Sequence, residues 1–256
     1  MRAKKRFGQN FLKNPNIVQE MIQSVLESKP ESLLEIGPGR GALTSSFLDA
    51  GVHTTAIEID RDLIAYLTKK FQNKSWDLIA QDVLTVDLTQ LNHAKKLDVI
   101  VGNLPYNIST PFLIKYRDEI PTVPGLFLVQ KEVALRLSAD PGSKDYGRLS
   151  VMMQQSFDIK MLFHVAPENF DPQPQVQSTF IRCTPHDRHL ILPELFEPIV
   201  RESFCHRRKM LKKSLSTFNI DFLKANVDPT RRPETLSIKE FIELANHSVR
   251  QDNLDA

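Results

Sequence analysis

The chain alternates two hydrophobic patterns: short, almost unbroken apolar runs, and longer stretches in which apolar residues recur every three or four positions. The first pattern predicts strands buried on both faces of a parallel sheet, and the second predicts amphipathic helices. Helical spacing covers Ile17, Val18, Met21, Ile22, Val25 and Leu26, with Asn14-Pro15 as a start signal and Lys29-Pro30 as a stop. Strand runs are expected at 32–36, 54–60, 76–80, 97–101, 125–130, 160–165 and 178–183, with helices at 42–50, after Ser109 and at 146–156. Strands and helices in turn predict an α/β domain over residues 1–185. Around Pro185 the pattern changes. The amphipathic stretches at 192–204, 209–217, 221–226 and 238–247 include no strand candidate, so residues 186–256 are expected to form a small all-helical domain. The segment 4–13 is basic and carries two aromatics, and it is expected to fold over the domain edge rather than pair as a strand.

In an open parallel sheet, ligands bind beyond the carboxyl ends of the strands, so the residues that follow each run are the candidates for chemistry. After 97–101 comes Gly102-Asn103-Leu104-Pro105-Tyr106-Asn107. Asn103 offers an amide, Leu104 a carbonyl that Pro105 keeps out of a helix, and Tyr106 an aromatic face. Those groups suit a planar, amino-bearing base, although Asn and Pro also make ordinary turns. After the first strand, Gly37-Pro38-Gly39-Arg40-Gly41 lets the backbone approach a ligand and leads into a helix N-terminus with free N–H groups. Its spacing departs from the dinucleotide pattern G-x-G-x-x-G, which tilts the reading toward a methyl-donor site. Glu58 ends the second strand, where an acid can accept both hydroxyls of a ribose. Asp60 reads as the cap of the next helix. Asp82 can accept from an adenine amino group, but taken by itself it reads more readily as a turn residue. Three prolines fix the loop 167–174, whose Phe170 is expected to be exposed. His164 reads as a core residue.

Composition narrows the class. At 256 residues, 41% hydrophobic and 25% charged, the chain is an average globular protein with room for a full core. No apolar run approaches the ~20 residues that a membrane helix needs. The basic N-terminus has no apolar signal core after it, so a cytoplasmic protein without a membrane partner is expected. Cys183 and Cys205 have neither redox-pair spacing nor enough partners for zinc, and no metal is expected. Net charge is only +2, but its distribution is uneven. Four of the first six residues are Arg or Lys, and 201–213 carries Arg201, Arg207, Arg208, Lys209, Lys212 and Lys213 against Glu202 alone. Such runs are either solvated faces or grips for a phosphate backbone.

Taken together, the chain resembles the small-subunit ribosomal RNA adenine N6-dimethyltransferases, the kasugamycin-resistance methyltransferase family. The resemblance rests on Gln9-Asn10-Phe11-Leu12, on 35–44 around Gly37-Pro38-Gly39, on Gln81-Asp82-Val83-Leu84, on 102–109 around Asn103, on Tyr146-Gly147-Arg148-Leu149-Ser150, and on Arg207-Arg208-Lys209. It implies a Rossmann-like, seven-stranded methyltransferase domain with its last strand antiparallel, then a helical C-terminal domain. It also implies S-adenosylmethionine as cofactor, contacted by Asn10, Leu12, Gly37, Glu58, Asp82 and Asn103. The implied substrate is a pair of adjacent adenosines near the 3′ end of 16S rRNA, in the small ribosomal subunit or its precursor, and the implied role is in ribosome biogenesis. Asn103, Leu104, Pro105 and Tyr106 would form the catalytic loop, with Tyr106 and Phe170 sandwiching the base. Arg207, Arg208, Lys209, Lys212 and Lys213 would bind RNA, and a monomer is expected. Three alternatives stay open at this point: a methyltransferase acting on 23S rRNA, one acting on DNA adenine, and a non-catalytic RNA-binding assembly factor.

Overall fold

The computed structural model describes residues 3–187 and 192–250. Arg2 of the N-terminal basic run lies outside the described residues. The chain divides into two compact units. The first comprises 1–134 and 157–186, and the second comprises 135–156 and 187–256.

The first unit opens with β1 (Phe11–Leu12) and α1 (Pro15–Leu26). Asn14 caps α1 by accepting from the Asn16 N–H, Pro15 occupies its first turn, and Met21, Ile22 and Val25 form its buried face as the periodicity predicts. There follow β2 (Ser32–Ile36), α2 (Ala42–Asp49), β3 (His53–Glu58), α3 (Arg61–Lys70), β4 (Asp77–Ala80), α4 (Leu88–Lys95), β5 (Val99–Asn103), α5 (Ser109–Glu119), β6 (Gly125–Gln130) and α6 (Lys131–Leu137). After α7 (Arg148–Gln154) come β7 (Phe157–Val165), β8 (Phe170–Asp171) and β9 (Ser178–Pro185). The main sheet has seven strands in the order β4-β3-β2-β5-β6-β9-β7. β4, β3, β2, β5 and β6 run parallel, while β9 is antiparallel to both β6 and β7. Every residue of β2 is buried, as is all of β5 except Asn103 and all of β6 except Gln130. Those are the central strands, and covering both faces is why their sequences are unbroken apolar runs.

Strand order reverses between β2 and β5, which opens a crevice at their carboxyl ends. There the two backbones come close: a Cβ on Gly102 would lie 2.9 Å from the Ile36 carbonyl oxygen. A side chain at this position would push β5 off β2 just before the loop that the sequence singles out.

The N-terminal expectation needs correction. Phe11 and Leu12 do pair, antiparallel with Asp171 and Phe170. The pairing is possible because the Asn169 carbonyl accepts from the Lys13 N–H and the Asn169 side chain accepts from Asn14 Nδ2, at 2.8 and 2.7 Å.

The second unit contains α7, α8 (Phe196–Cys205), α9 (Leu211–Ser214), β10 (Phe218–Ile220), α10 (Ile238–Asn246) and β11 (Ser248–Arg250). It is not all-helical, since β10 and β11 pair antiparallel. Runs of three residues are too short to show a strand period in the sequence. Nor is 221–226 a helix; Asp221 accepts from the Lys224 N–H and Asn226 adopts a positive φ, so this stretch is a turn. Ser237 and Glu240 cap α10 reciprocally, and the Tyr146 hydroxyl donates to the Leu236 carbonyl at 2.9 Å.

One element of the first unit opposes stability. Glu35 sits inside β2 with 1% exposure, accepting from the Thr44 hydroxyl at 2.6 Å. Burial pushes its carboxyl up to about 7; the Thr44 hydrogen bond opposes that shift and the nearby Glu58 adds to it. Folded Glu35 therefore holds its proton more tightly than unfolded Glu35 does, so its ionisation removes stability as pH rises from about 4.5 through about 7. Glu35→Gln keeps an acceptor for Thr44 and removes the charge. Its advantage over the parent in urea unfolding should be small near pH 4.5 and grow to the order of 3 kcal/mol above pH 7. A difference independent of pH would show that Glu35 does not titrate in this window.

Candidate active site

At the carboxyl ends of β2, β3 and β5 lies a cavity of about 350 Å³. Asn10, Leu12, Gly37, Glu58, Asp82 and Asn103 all line it, as do Leu104, Pro105 and Tyr106. Glu58, Asp82 and Tyr106 meet there because parallel strands all end on the same edge, whereas Asn10 reaches it on the N-terminal segment, its carbonyl accepting from Asn103 Nδ2.

Three strand ends supply the floor. Gly37 follows β2 with φ +64°, and a Cβ added there would meet nothing within 4 Å, so a side chain would project into open space beside the cavity. Only glycine combines that backbone angle with that clearance. Glu58 ends β3 with 6% exposure, and its Oε1 accepts from the N–H groups of Ile59 and Asp60, both at 2.9 Å. Burial raises its pKa, while backbone N–H groups of Asp60, Ile59 and Gly39 oppose the shift. Asp60 caps α3 by accepting from the Asp62 N–H, as expected. Asp82, beyond β4, accepts from the Leu84 N–H at 3.0 Å and is thereby held in a turn at the cavity wall.

Hydrogen bonds fix Asn103, Leu104, Pro105 and Tyr106 at the end of β5 and in the loop after it. Asn103 Nδ2 donates to the Asn10 carbonyl at 2.9 Å, which keeps Oδ1 as the acceptor of the amide. The Leu104 N–H donates to the Leu128 carbonyl at 3.1 Å. The Pro105 carbonyl accepts from the Ile108 N–H at 3.1 Å and from the Ser109 hydroxyl at 3.0 Å, so Ser109 ties the loop down while Ile108 occupies the cap position of α5. The sequence predicts a role for the Tyr106 ring only. Its hydroxyl also has one, pairing with Ser178 Oγ of β9 at 2.7 Å, and burial raises its pKa. Nothing local marks Ser178 as a partner, since the two residues are 72 positions apart.

Two expectations change. Phe170 is 1% exposed, in β8, packed in the core with Phe180 and Val165, and it does not line the cavity. The β1 pairing supplies the strand face that its sequence context hides. Arg207 is not free to grip phosphate: its Nε lies 2.7 Å from Glu234 and an Nη donates to the Lys144 carbonyl at 2.7 Å. Arg208, Lys209, Lys212 and Lys213 are exposed. In the N-terminal cluster, Lys4 is likewise engaged, with Asp60 at 2.5 Å and Asp62 at 2.6 Å. A third expectation also changes: His164 is exposed on β7 rather than in the core, and its Nδ1 is bonded to the Thr179 hydroxyl at 2.8 Å. Among the described residues no group of three or more His, Cys, Asp or Glu is arranged to hold a metal ion, and no helix is long and apolar enough to cross a membrane.

A half-enclosed, largely apolar cavity with a side-chain-free glycine approach, a buried acid at a strand tip and an acceptor amide fits an adenosine-bearing methyl donor. Comparison with known proteins agrees. Residues 1–248 match the family profile described as Ribosomal RNA adenine dimethylase. The chain is 42% identical over 252 residues to the ribosomal RNA small subunit methyltransferase A of Pseudomonas aeruginosa, covering 96% of this chain and 94% of that one. It is 43% identical over 258 residues to the protein of the same name from Acidithiobacillus ferrooxidans, covering 98% and 97%. Its fold is similar to that of a dimethyladenosine transferase from Plasmodium falciparum, with TM-score 0.76 at 22% identity over 91% of this chain and 95% of that one. The 23S rRNA methyltransferase ErmE superposes with TM-score 0.70 at 23% identity, covering 93% and 99%. With profile, relatives and cavity in agreement, the chain belongs to the ribosomal RNA adenine dimethylase family and is an S-adenosylmethionine-dependent rRNA adenine N6-dimethyltransferase.

Proposed function

We propose that this chain dimethylates two adjacent adenosines near the 3′ end of 16S rRNA in the small ribosomal subunit or its precursor, acting as a cytoplasmic monomer. The observation that carries the reading is the convergence of Glu58, Asp82 and Asn103 on one cavity at the sheet's switch point. The substrate is supported by relatives named for the small subunit that match nearly end to end. Labelled methyl transfer to under-methylated 30S particles, followed by nucleoside analysis, tests it. Dimethyladenosine in 16S rRNA is the expected product, and label in 23S rRNA or DNA alone would overturn the assignment.

In this reading Asn10, Leu12, Gly37, Glu58 and Asp82 hold the cofactor. When bound, S-adenosylmethionine supplies an electrophilic methyl group. The lone pair of adenine N6 is delocalised into the ring, which makes it a poor nucleophile. Asn103 Oδ1 and the Leu104 carbonyl accept from the N6 hydrogens and draw the nitrogen toward tetrahedral geometry. As positive charge develops on N6, the same two oxygens stabilise it; once methylated, N6 is acidic and gives up its proton to water, so the step is preorganised electrostatics and requires no general base. The loop reaches the reaction already ordered, because Pro105 and the Ser109 hydroxyl fix its backbone. An adenine must leave its stack to enter, and the Tyr106 ring offers a face for it. Phe170, sealed in the core, is not the second face. On the second unit, Arg208, Lys209, Lys212 and Lys213 contact phosphates, and Arg207 holds the 143–144 and 234 segments together.

Asn103→Ala should lower the single-turnover rate by about a hundredfold, as loss of one charge-stabilising contact does elsewhere. Tyr106→Ala should reduce rate and base positioning together. Tyr106→Phe keeps the ring but strands the Ser178 hydroxyl, a loss of about 1 kcal/mol or roughly fivefold. A fully active Tyr106→Phe enzyme would show that the Ser178 contact does not orient the ring, and a fully active Asn103→Ala enzyme would remove the loop from the chemistry.

Replacing Arg208, Lys209, Lys212 and Lys213 with Ala should weaken binding to 30S particles and lower the salt slope by about three to four, close to one unit per phosphate contact. Arg207→Ala should instead lower the melting temperature. A slope unchanged by the fourfold replacement would make these residues solvated surface.

A further inference from the structure

A terminal amide is nearly symmetric in shape, and its two orientations differ only in which atom accepts and which donates. For Asn103 that choice decides whether the site offers an acceptor or a donor. The choice is made by the Asn10 carbonyl, which can only accept and therefore draws Nδ2 toward itself at 2.9 Å. Asn10 belongs to no long element. It sits on a segment whose next anchored residues are Gln9 and Lys4, and both converge on one buried carboxylate.

That carboxylate is Asp60, with 2% exposure. Its Oδ2 accepts from Gln9 Nε2 at 2.9 Å and its Oδ1 accepts from Lys4 Nζ at 2.5 Å. Gln9 Oε1 in turn accepts from the Lys4 backbone N–H at 2.8 Å, which closes a ring of contacts around the segment. The Asp60 N–H donates to Glu58 Oε1, so the same residue is tied to the acid at the tip of β3. Capping α3 needs only one carboxylate oxygen, and that role does not explain Lys4 or Gln9.

We propose that Asp60 is a positioning residue for methyl transfer: by clasping Gln9 and Lys4 it sets the Asn10 carbonyl, which orients the Asn103 amide with Oδ1 as the acceptor for N6. The inference rests on the reading of Asn103 given above. It also links the two halves of the site. Glu58 on the cofactor side and Asn103 on the base side are joined by one polar path, Glu58–Asp60–Gln9–Asn10–Asn103, so the acceptor is oriented only when the N-terminal segment is seated.

The test uses Asp60→Asn, which retains an oxygen to cap α3, removes the charge facing Lys4 and turns an amide N–H₂ toward the Gln9 amide. Measured in single turnovers with donor and 30S particles both saturating, its rate should fall about 10- to 100-fold, the scale of a small misplacement at a reacting centre. Adding Gln9→Glu restores the polarity of that contact, because the introduced carboxylate accepts from the introduced amide, and the double variant should recover most of the rate. In an Asn103→Ala background, Asp60→Asn should cost less than about twofold, since the amide it orients is gone. An unimpaired Asp60→Asn enzyme, failure of Gln9→Glu to rescue, or full additivity with Asn103→Ala would each overturn the proposal. Full activity of Asn103→Ala by itself would instead overturn the underlying reading of the loop, so the two failures are distinguishable. Thermal melting of each variant separates them from loss of fold.

Discussion

The parallel pairing of β2 with β5 is the constraint on which the rest depends. At that pair the strand order reverses, and the crossovers leave on opposite sides, so the carboxyl ends face an open crevice. Register aligns Ile36 with Gly102, which delivers the Gly37 turn and the Asn103 loop to the same height. The absence of a side chain at Gly102 lets the two backbones close to that distance. Shifting β5 by one residue would turn Asn103 to the other face of the sheet, because side chains alternate.

Charge is arranged around this crevice at a cost to the fold. Glu35 and Glu58 lie in adjacent strands, both buried, and each is held against its own desolvation by hydrogen bonds: the Thr44 hydroxyl for Glu35, and backbone N–H groups for Glu58. Replacing either by an apolar residue of similar size would relieve that burden, yet only an acceptor at Glu58 can meet a ribose. The site thus trades stability for recognition at the strand tips, where the sheet's central apolar runs provide stability in reserve.

The N-terminal segment gains its importance from the same geometry. Too short and too basic to carry a core of its own, it is seated by β1 against β8, by Lys4 and Gln9 on Asp60, and by Asn10 against Asn103. These contacts tie it to the loops following β3 and β5 and to the segment before β9. Arg40, stacked 4.4 Å from the Phe11 ring and 3.3 Å from Asp171, adds the loop following β2. Ordering such a segment costs conformational entropy, and a distributed set of polar contacts is what offsets it.

How much of this was legible in the sequence follows from the range of each interaction. The apolar runs of β2, β5 and β6, the face of α1, the Asp60 cap and the order of motifs are local patterns, set by periods of two and 3.6 residues and by turn chemistry, and they determined the fold class and the positions of Glu58, Asp82 and Asn103. What only the tertiary structure decided are pairings between segments that no period connects. Phe170 reads as an exposed loop ring until β1 covers it, and Arg207 reads as a phosphate contact until Glu234 is placed 2.7 Å away. The Tyr106 hydroxyl finds Ser178 across 72 residues, and the Asn103 amide finds the Asn10 carbonyl across 93. A polar side chain carries no mark of its distant partner; burial against one particular neighbour selects the partner, and that selection exists only once the sheet has brought the strand ends together.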